Sequence, residues 1–170
     1  MACDITAGRL RACKTSLGGN SVIYLYPELA DSFTVVAGEG TAMNAGLTVA
    51  YKFELEGDLN IFTESMPSDR NTFSRVNTQT LSITLKVQDV ASNAQLNLLS
   101  ASFGHAVIAD RNGNHKVVGL TDGIDWSIEA TSGGAKTDSN LYTLTGVSTE
   151  NLLAPTLDSA TQAAFLAVVA

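Results

Sequence analysis

Through the middle of the chain, apolar and polar positions alternate with period two, and this alternation predicts strands. Val49, Tyr51, Phe53 and Leu55 alternate with Ala50, Lys52, Glu54 and Glu56, giving one apolar and one charged face. Leu81, Ile83, Leu85 and Val87 alternate with Thr80, Ser82, Thr84 and Lys86, with extended character reaching back towards Phe73. Residues 59–64 read as another strand after Gly57-Asp58. Residues 65–72 are polar and turn-forming and read as an exposed loop. Earlier, residues 22–26 form a β-branched and aromatic run stopped by Pro27, and residues 33–36 form a second. This pair predicts a hairpin with its loop at 27–32, followed by a Gly-, Ala- and Glu-rich loop at 37–46.

From Asp89 the period changes. Val90, Ala94, Leu98 and Ala101 fall on one side with Leu99 beside them, which predicts a helix at about 89–103 that buries this stripe on a sheet. Asp89 suits the N-cap and Gly104 the stop. Residues 105–110 and 115–120 then form a hairpin around Asn112-Gly113, the strongest short-range hairpin signal. Strands follow at 123–130 and 141–147, separated by a Ser-, Gly- and Thr-rich loop at 131–140. Ser159 and Gln162 fit a capping box opening a short apolar helix. The fold class is mainly β (α+β): an antiparallel β-sandwich or barrel with one packed α-helix and a short C-terminal helix. The expected units are an arm at 1–20, joined through a flexible Leu17-Gly18-Gly19-Asn20, the β domain at 21–157 and a helical tail at 158–170.

Composition adds an assembly signal. Only 16% of the 170 residues are charged, against roughly 25% in an ordinary soluble domain. The 45% apolar content excludes disorder. No uncharged apolar run approaches the roughly 20 residues of a membrane span, so no membrane insertion is expected. A net charge of −7 argues against nucleic-acid binding through overall charge. Few charges among many Ser, Thr, Asn, Gly and Ala suit a subunit that covers its outside with copies of itself. Residues 1–20 hold Arg9, Arg11 and Lys14 against Asp4, a balance of +2, which leaves −9 in the other 150. A basic arm on an acidic body fits docking on a neighbour. Cys3 and Cys13 make neither a disulfide framework nor a metal site, and reduced thiols are the default. The start has charges where a signal peptide has its apolar stretch, which predicts assembly and use in a cytoplasm.

Catalytic patterns are missing, and no cofactor or enzyme activity is expected. His105 and His115 sit at either end of the hairpin, able to face each other but without a third ligand. Asp110, Asn112 and Asn114 resemble the start of a calcium loop, but Thr121 stands where the bidentate Glu belongs. Asp122 and Asp125 flank a Gly-Ile pair and read as a turn. No nucleophile elbow, phosphate loop or H-E-x-x-H occurs. Trp126, alternating with Ile124 and Ile128, reads as core or interface. Glu54, Glu56 and Glu64 lie on polar strand faces.

The element order, with the stretches Cys3-Asp4-Ile5-Thr6-Ala7-Gly8-Arg9, Cys13-Lys14, Ser16-Leu17-Gly18-Gly19, Asp110-Arg111-Asn112-Gly113-Asn114, Gly119-Leu120 and Tyr142-Thr143-Leu144-Thr145-Gly146, resembles small virion structural proteins of tailed bacteriophages. Among these the chain looks most like a tail tube subunit. The resemblance implies rings, often of six, whose inner sheets join into one barrel and which stack into a channel for DNA delivery. It implies localisation in the virion tail after assembly in the host cytoplasm. The implied partners are further copies of the chain, other tail proteins (tape measure, sheath or terminator), and DNA that passes through without specific binding. The strands at 49–55 and 78–87 are the expected inner pair, with Lys52, Glu54, Glu56, Thr80, Ser82, Thr84 and Lys86 facing a net acidic lumen. The arm, through Arg9, Arg11 and Lys14, and the loop, through Pro67, Asp69 and Arg70, are the expected inter-ring contacts.

Three other readings make different predictions. A tail terminator, head–tail connector or capsid decoration protein shares the composition but stays as closed rings or monomers. A small-ligand or carbohydrate-binding β-domain is a monomer whose melting temperature rises with ligand. A hydrolase or metal enzyme loses activity when His105, His115 or Asp110 is changed.

Overall fold

The computed structural model describes residues 7–11 and 14–170. Cys3, Cys13, any bridge between them, and Asp4-Ile5-Thr6 lie outside the described residues. The chain runs β1 (Asn20–Tyr26), β2 (Phe33–Val36), β3 (Glu39–Met43), β4 (Tyr51–Glu54), β5 (Ile61–Ser65), β6 (Ser68–Asp69), β7 (Ser74–Arg75) and β8 (Asn77–Lys86). It continues through α1 (Val90–Ser100), β9 (His105–Asp110), β10 (His115–Val118), β11 (Asp125–Thr131), β12 (Leu141–Glu150), β13 (Thr156–Leu157) and α2 (Ser159–Leu166). The fold is mainly β with two helices, as the periodicity predicts.

Seven strands form one sheet in the order β2-β3-β13-β10-β9-β1-β4, and four form another in the order β11-β12-β8-β5. All these pairs are antiparallel except β13–β3. Period two decides which residues lie between the sheets. Ile23, Leu25, Ala106, Ile108 and Val118 of the larger sheet meet Leu81, Ile83, Trp126 and Leu144 of the smaller. The alternate positions Tyr24, Tyr26, Val107, Ala109 and Val117 face the other way and are covered by Phe33, Leu47 and Phe165 of α2. The molecule is therefore three layers: small sheet, large sheet, then α2 with the loops around it.

The second core contains aromatic stacks. The Phe165 ring stands edge-on to Tyr24 at 5.4 Å and tilted against Phe33 at 5.8 Å. His115 stacks on Tyr24 and His105 on Tyr26, so the histidines do not face each other. His105 Nδ1 also lies in hydrogen-bond contact with the Gly119 carbonyl. The Tyr26 hydroxyl shares a 2.8 Å hydrogen bond with Ser32 Oγ, and burial pushes its pKa well above the ordinary tyrosine range.

Several expectations need correcting. β1 does not form a hairpin with β2. It pairs with β4 and β9, and β2 pairs with β3, a strand inside the expected 37–46 loop. The 65–72 loop is part of an exposed two-stranded β6–β7 hairpin, and Phe73, at φ 52° and fully out in solvent, stops β8 from reaching back that far. The strand at 49–55 and β8 are not a pair, because β4 edges the large sheet and β8 lies within the small one. Asp158, not Ser159, caps α2 by accepting from the Thr161 N–H at 2.6 Å. Asp89 caps α1 as expected, accepting from Ser92 N–H at 2.7 Å. The helix is rotated from its expected setting: Leu96 is its buried side chain, with Leu99 half-buried, while Val90, Ala94, Leu98 and Ala101 face out. Leu96 enters the core between the sheets, and the Tyr142 hydroxyl bonds Asn93 Oδ1 at 2.5 Å and the Asp89 carbonyl at the start of the helix.

Candidate assembly surfaces

The outer face of the four-stranded sheet is the first surface. In-register pairing sets Ser127, Thr145, Ser82 and Ile61 in one row across all four strands. Asp125, Val147, Thr80 and Thr63 form the next row. Glu129, Thr143 and Thr84 lie on one side of these rows, and Thr149, Thr78 and Ser65 on the other. Hydroxyls dominate, with Asp125 and Glu129 against Lys86 as the charges. The face is only slightly acidic.

The expected lumen set is split by the layers. Thr80, Ser82, Thr84 and Lys86 project from the outer face of β8, though Thr84 is nearly covered. Lys52 and Glu54 pair across β1 with Tyr24 and Val22, which puts them on the α2 side of the large sheet, 2.7 Å apart as an exposed ion pair. One channel wall cannot hold both groups. Glu56, in the turn after β4, lies 3.8 Å from Lys86 Nζ. Glu64 is not on a solvated face: its Oε1 accepts from Asn77 Nδ2 at 2.9 Å and from the Ala154 N–H at 2.7 Å.

The sheet edges differ. β4 is short and carries the Lys52–Glu54 pair, and β2 has a register irregularity against β3, both common ways of blunting an edge. The edges of the small sheet are blunted less: β11 carries two exposed acids, Asp125 and Glu129, and β5 is only five residues long, but neither has a cation or a register break. β11 keeps register with β12 over its whole length, and neither β11 nor β5 contains Pro or Lys. β11 and β5 also run in opposite directions, because the sheet has an even number of alternating strands.

Hydrogen bonds define two ends of the sandwich. At the upper end, Arg111 bonds the Gly57 carbonyl and Asp58, and Asn20 bonds the Asn60 carbonyl. At the lower end, Gly119 N–H donates to Gln79 Oε1, and Thr121 N–H to Glu150 Oε1. The arm leaves from the upper end, where Asn112 holds Leu17 by both backbone groups, each at 2.8 Å. The expected flexible joint is thus clipped just before the strand begins. Arg9, Arg11 and Lys14 are exposed on that arm. Pro67, Asp69 and Arg70 are exposed on the β6–β7 hairpin, which rises from the lower end where Ser65 pairs with Thr78. The anchor of the arm and the base of the hairpin therefore stand at opposite ends.

The clip has a direct test. Asn112→Ala removes both bonds to Leu17 while leaving the turn's Asp110 contacts to the Asn114 backbone and side chain. Limited proteolysis between residues 7 and 17 should quicken several-fold at nearly unchanged melting temperature.

Asp110 is consumed by its turn: against the desolvation that would raise its pKa, hydrogen bonds from the Asn114 side chain and from the N–H groups of Asn114 and Asn112 hold it down. Among the described residues, no three ligand-type side chains gather at metal-binding distance. No helix of the described residues is long and apolar enough to cross a membrane. The free edges and the two-ended placement escaped sequence reasoning, because both depend on long-range pairing. The chain matches no family model, no curated protein and no solved structure.

Proposed function

We propose that the protein is a structural subunit of a phage tail tube, assembling through the small sheet into rings that stack around a channel. The observation that carries this reading is the pair of unpaired, oppositely directed edges, without Pro or Lys, on one hydroxyl-faced sheet. Copies related by rotation about an axis along the strands would bring β11 of one beside β5 of the next. Those strands run antiparallel, so the alternation continues through every junction. Such a heterologous contact closes into a ring when the rotation closes, and closure removes the free edges. The outer face would become the channel lining. Its hydroxyls and few acids give DNA phosphates no cluster of bases to bind, so DNA would slide.

The resemblance to phage virion proteins agrees with this reading, as does the placement of the arm's anchor and the hairpin's base at opposite ends. Negative-stain microscopy of the purified protein should show tubes of uniform width. Thr63→Asp with Ser127→Asp places like charges on the two strands that meet. Both residues are exposed, so monomer stability should change by no more than about 0.5 kcal/mol while the tubes disappear. A monomer that persists at high concentration in sedimentation overturns the proposal. Closed rings that never stack would move it to a connector, terminator or decoration protein.

A further inference from the structure

This inference rests on the stacking half of the proposed function. At the lower end a cavity of about 450 Å³ opens beside Glu150, with Leu120, Leu152, Leu153, Met66 and Arg75 among its walls. Glu150 is only 8% exposed. Its Oε1 accepts from the N–H groups of Thr121 and Asp122 at 2.9 and 3.2 Å. Among the described residues it joins no ion pair; the three that form are Lys52–Glu54, Lys86–Glu56 and Arg111–Asp58. A buried carboxylate without a counter-charge is costly. Next to it, Leu152 and Leu153 are each more than half exposed. The cavity therefore suits a ligand that is part cation and part aliphatic.

The arm has that chemistry. Arg9-Leu10-Arg11 is exposed throughout, with Leu10 at 92%. Even fully extended, the arm leaves Leu10 short of the cavity of its own chain. Leu17 is fixed at the upper end by Asn112, and the seven residues back to Leu10 span at most about 25 Å. The ten-residue β8 between the two ends covers roughly 33 Å. A copy stacked on the upper end would bring its lower end, and the cavity, within reach.

We propose that Arg9-Leu10-Arg11 of one copy docks in the lower cavity of the next, with Leu10 against Leu152 and Leu153 and a guanidinium of the pair on Glu150. Arg75 stays on the exposed rim.

The test uses the full chain with Cys3→Ser, Cys13→Ser, Leu10→Cys and Leu153→Cys under mild oxidation. A non-reducing gel should show a ladder of covalent multimers, because each copy offers one thiol at each end. Glu150→Gln keeps an oxygen for the Thr121 and Asp122 N–H groups and should slow cross-linking about tenfold. Arg9→Ala with Arg11→Ala, changing only exposed side chains, should slow it similarly. Tubes under the microscope without a ladder would overturn this docking and leave the tube reading standing. A ladder without tubes would support the docking and overturn the tube. A cross-linked product that runs as monomer would overturn the docking by showing a contact within one chain.

Discussion

Phe165→Ala should destabilise the protein by about 3–5 kcal/mol, the range for removing a large buried aromatic. Phe165 is fully buried and meets Tyr24, Tyr26 and Phe33 ring to ring. It is the main anchor of α2, whose other buried residue is Thr161. Losing it leaves a cavity among Tyr24, Tyr26 and Phe33 on one face of the central sheet. Thermal unfolding followed by circular dichroism should shift down by roughly 10 °C or more. Since α2 alone is too short to hold as an isolated helix, hydrogen exchange in residues 159–170 should rise before global unfolding. A shift of only a degree or two would mean that the second core is held by the loops instead.

The second large effect is expected at Gly123, where α1's exit strand passes the turn before β11. Its φ is +75°, and a Cβ there would sit 2.4 Å from the Phe103 carbonyl oxygen. The neighbouring backbone is itself bonded, with Ile124 N–H donating to the Gly104 carbonyl at 3.1 Å. Neither side can move cheaply. Gly123→Ala combines left-handed strain of about 1–2 kcal/mol with a backbone clash, and should cost at least as much as Phe165→Ala. Denaturant unfolding measures it as a lower midpoint with an unchanged slope. Gly113, also at positive φ, meets nothing within 4 Å, so Gly113→Ala should show only the strain.

Contrast between these residues explains what sequence reading could reach. Alternation placed Leu81 and Ile83 inside and Thr80 and Ser82 outside, because period two is a local signal and β8 has one neighbour layer on its inner side. Asn112-Gly113 marked its hairpin because turn chemistry is local too. β3 went unread: Glu-Gly-Thr-Ala-Met has weak β-propensity and forms a strand only because β2 and β13 flank it. The partners of β1 are distant in sequence, so the nearest run looked like its hairpin mate. In α1, Leu96, Leu98 and Leu99 cover more than one face, so apolar spacing could not choose the inward one. The core site that takes Leu96 and the hydrogen bond from Tyr142 to Asn93 both belong to tertiary structure. At the candidate surfaces, residue types were legible, but which sheet each belonged to was not. Lys52 and Thr80 read alike on paper and point away from each other in space.

The upper clip and the lower cavity also give the molecule polarity. If the proposed docking holds, a filament grown from such units would have two chemically unlike tips, one offering cationic tethers and the other empty sockets. Elongation would then be open to separate control at each tip: a plug shaped like the tether would cap one, and a decoy socket the other.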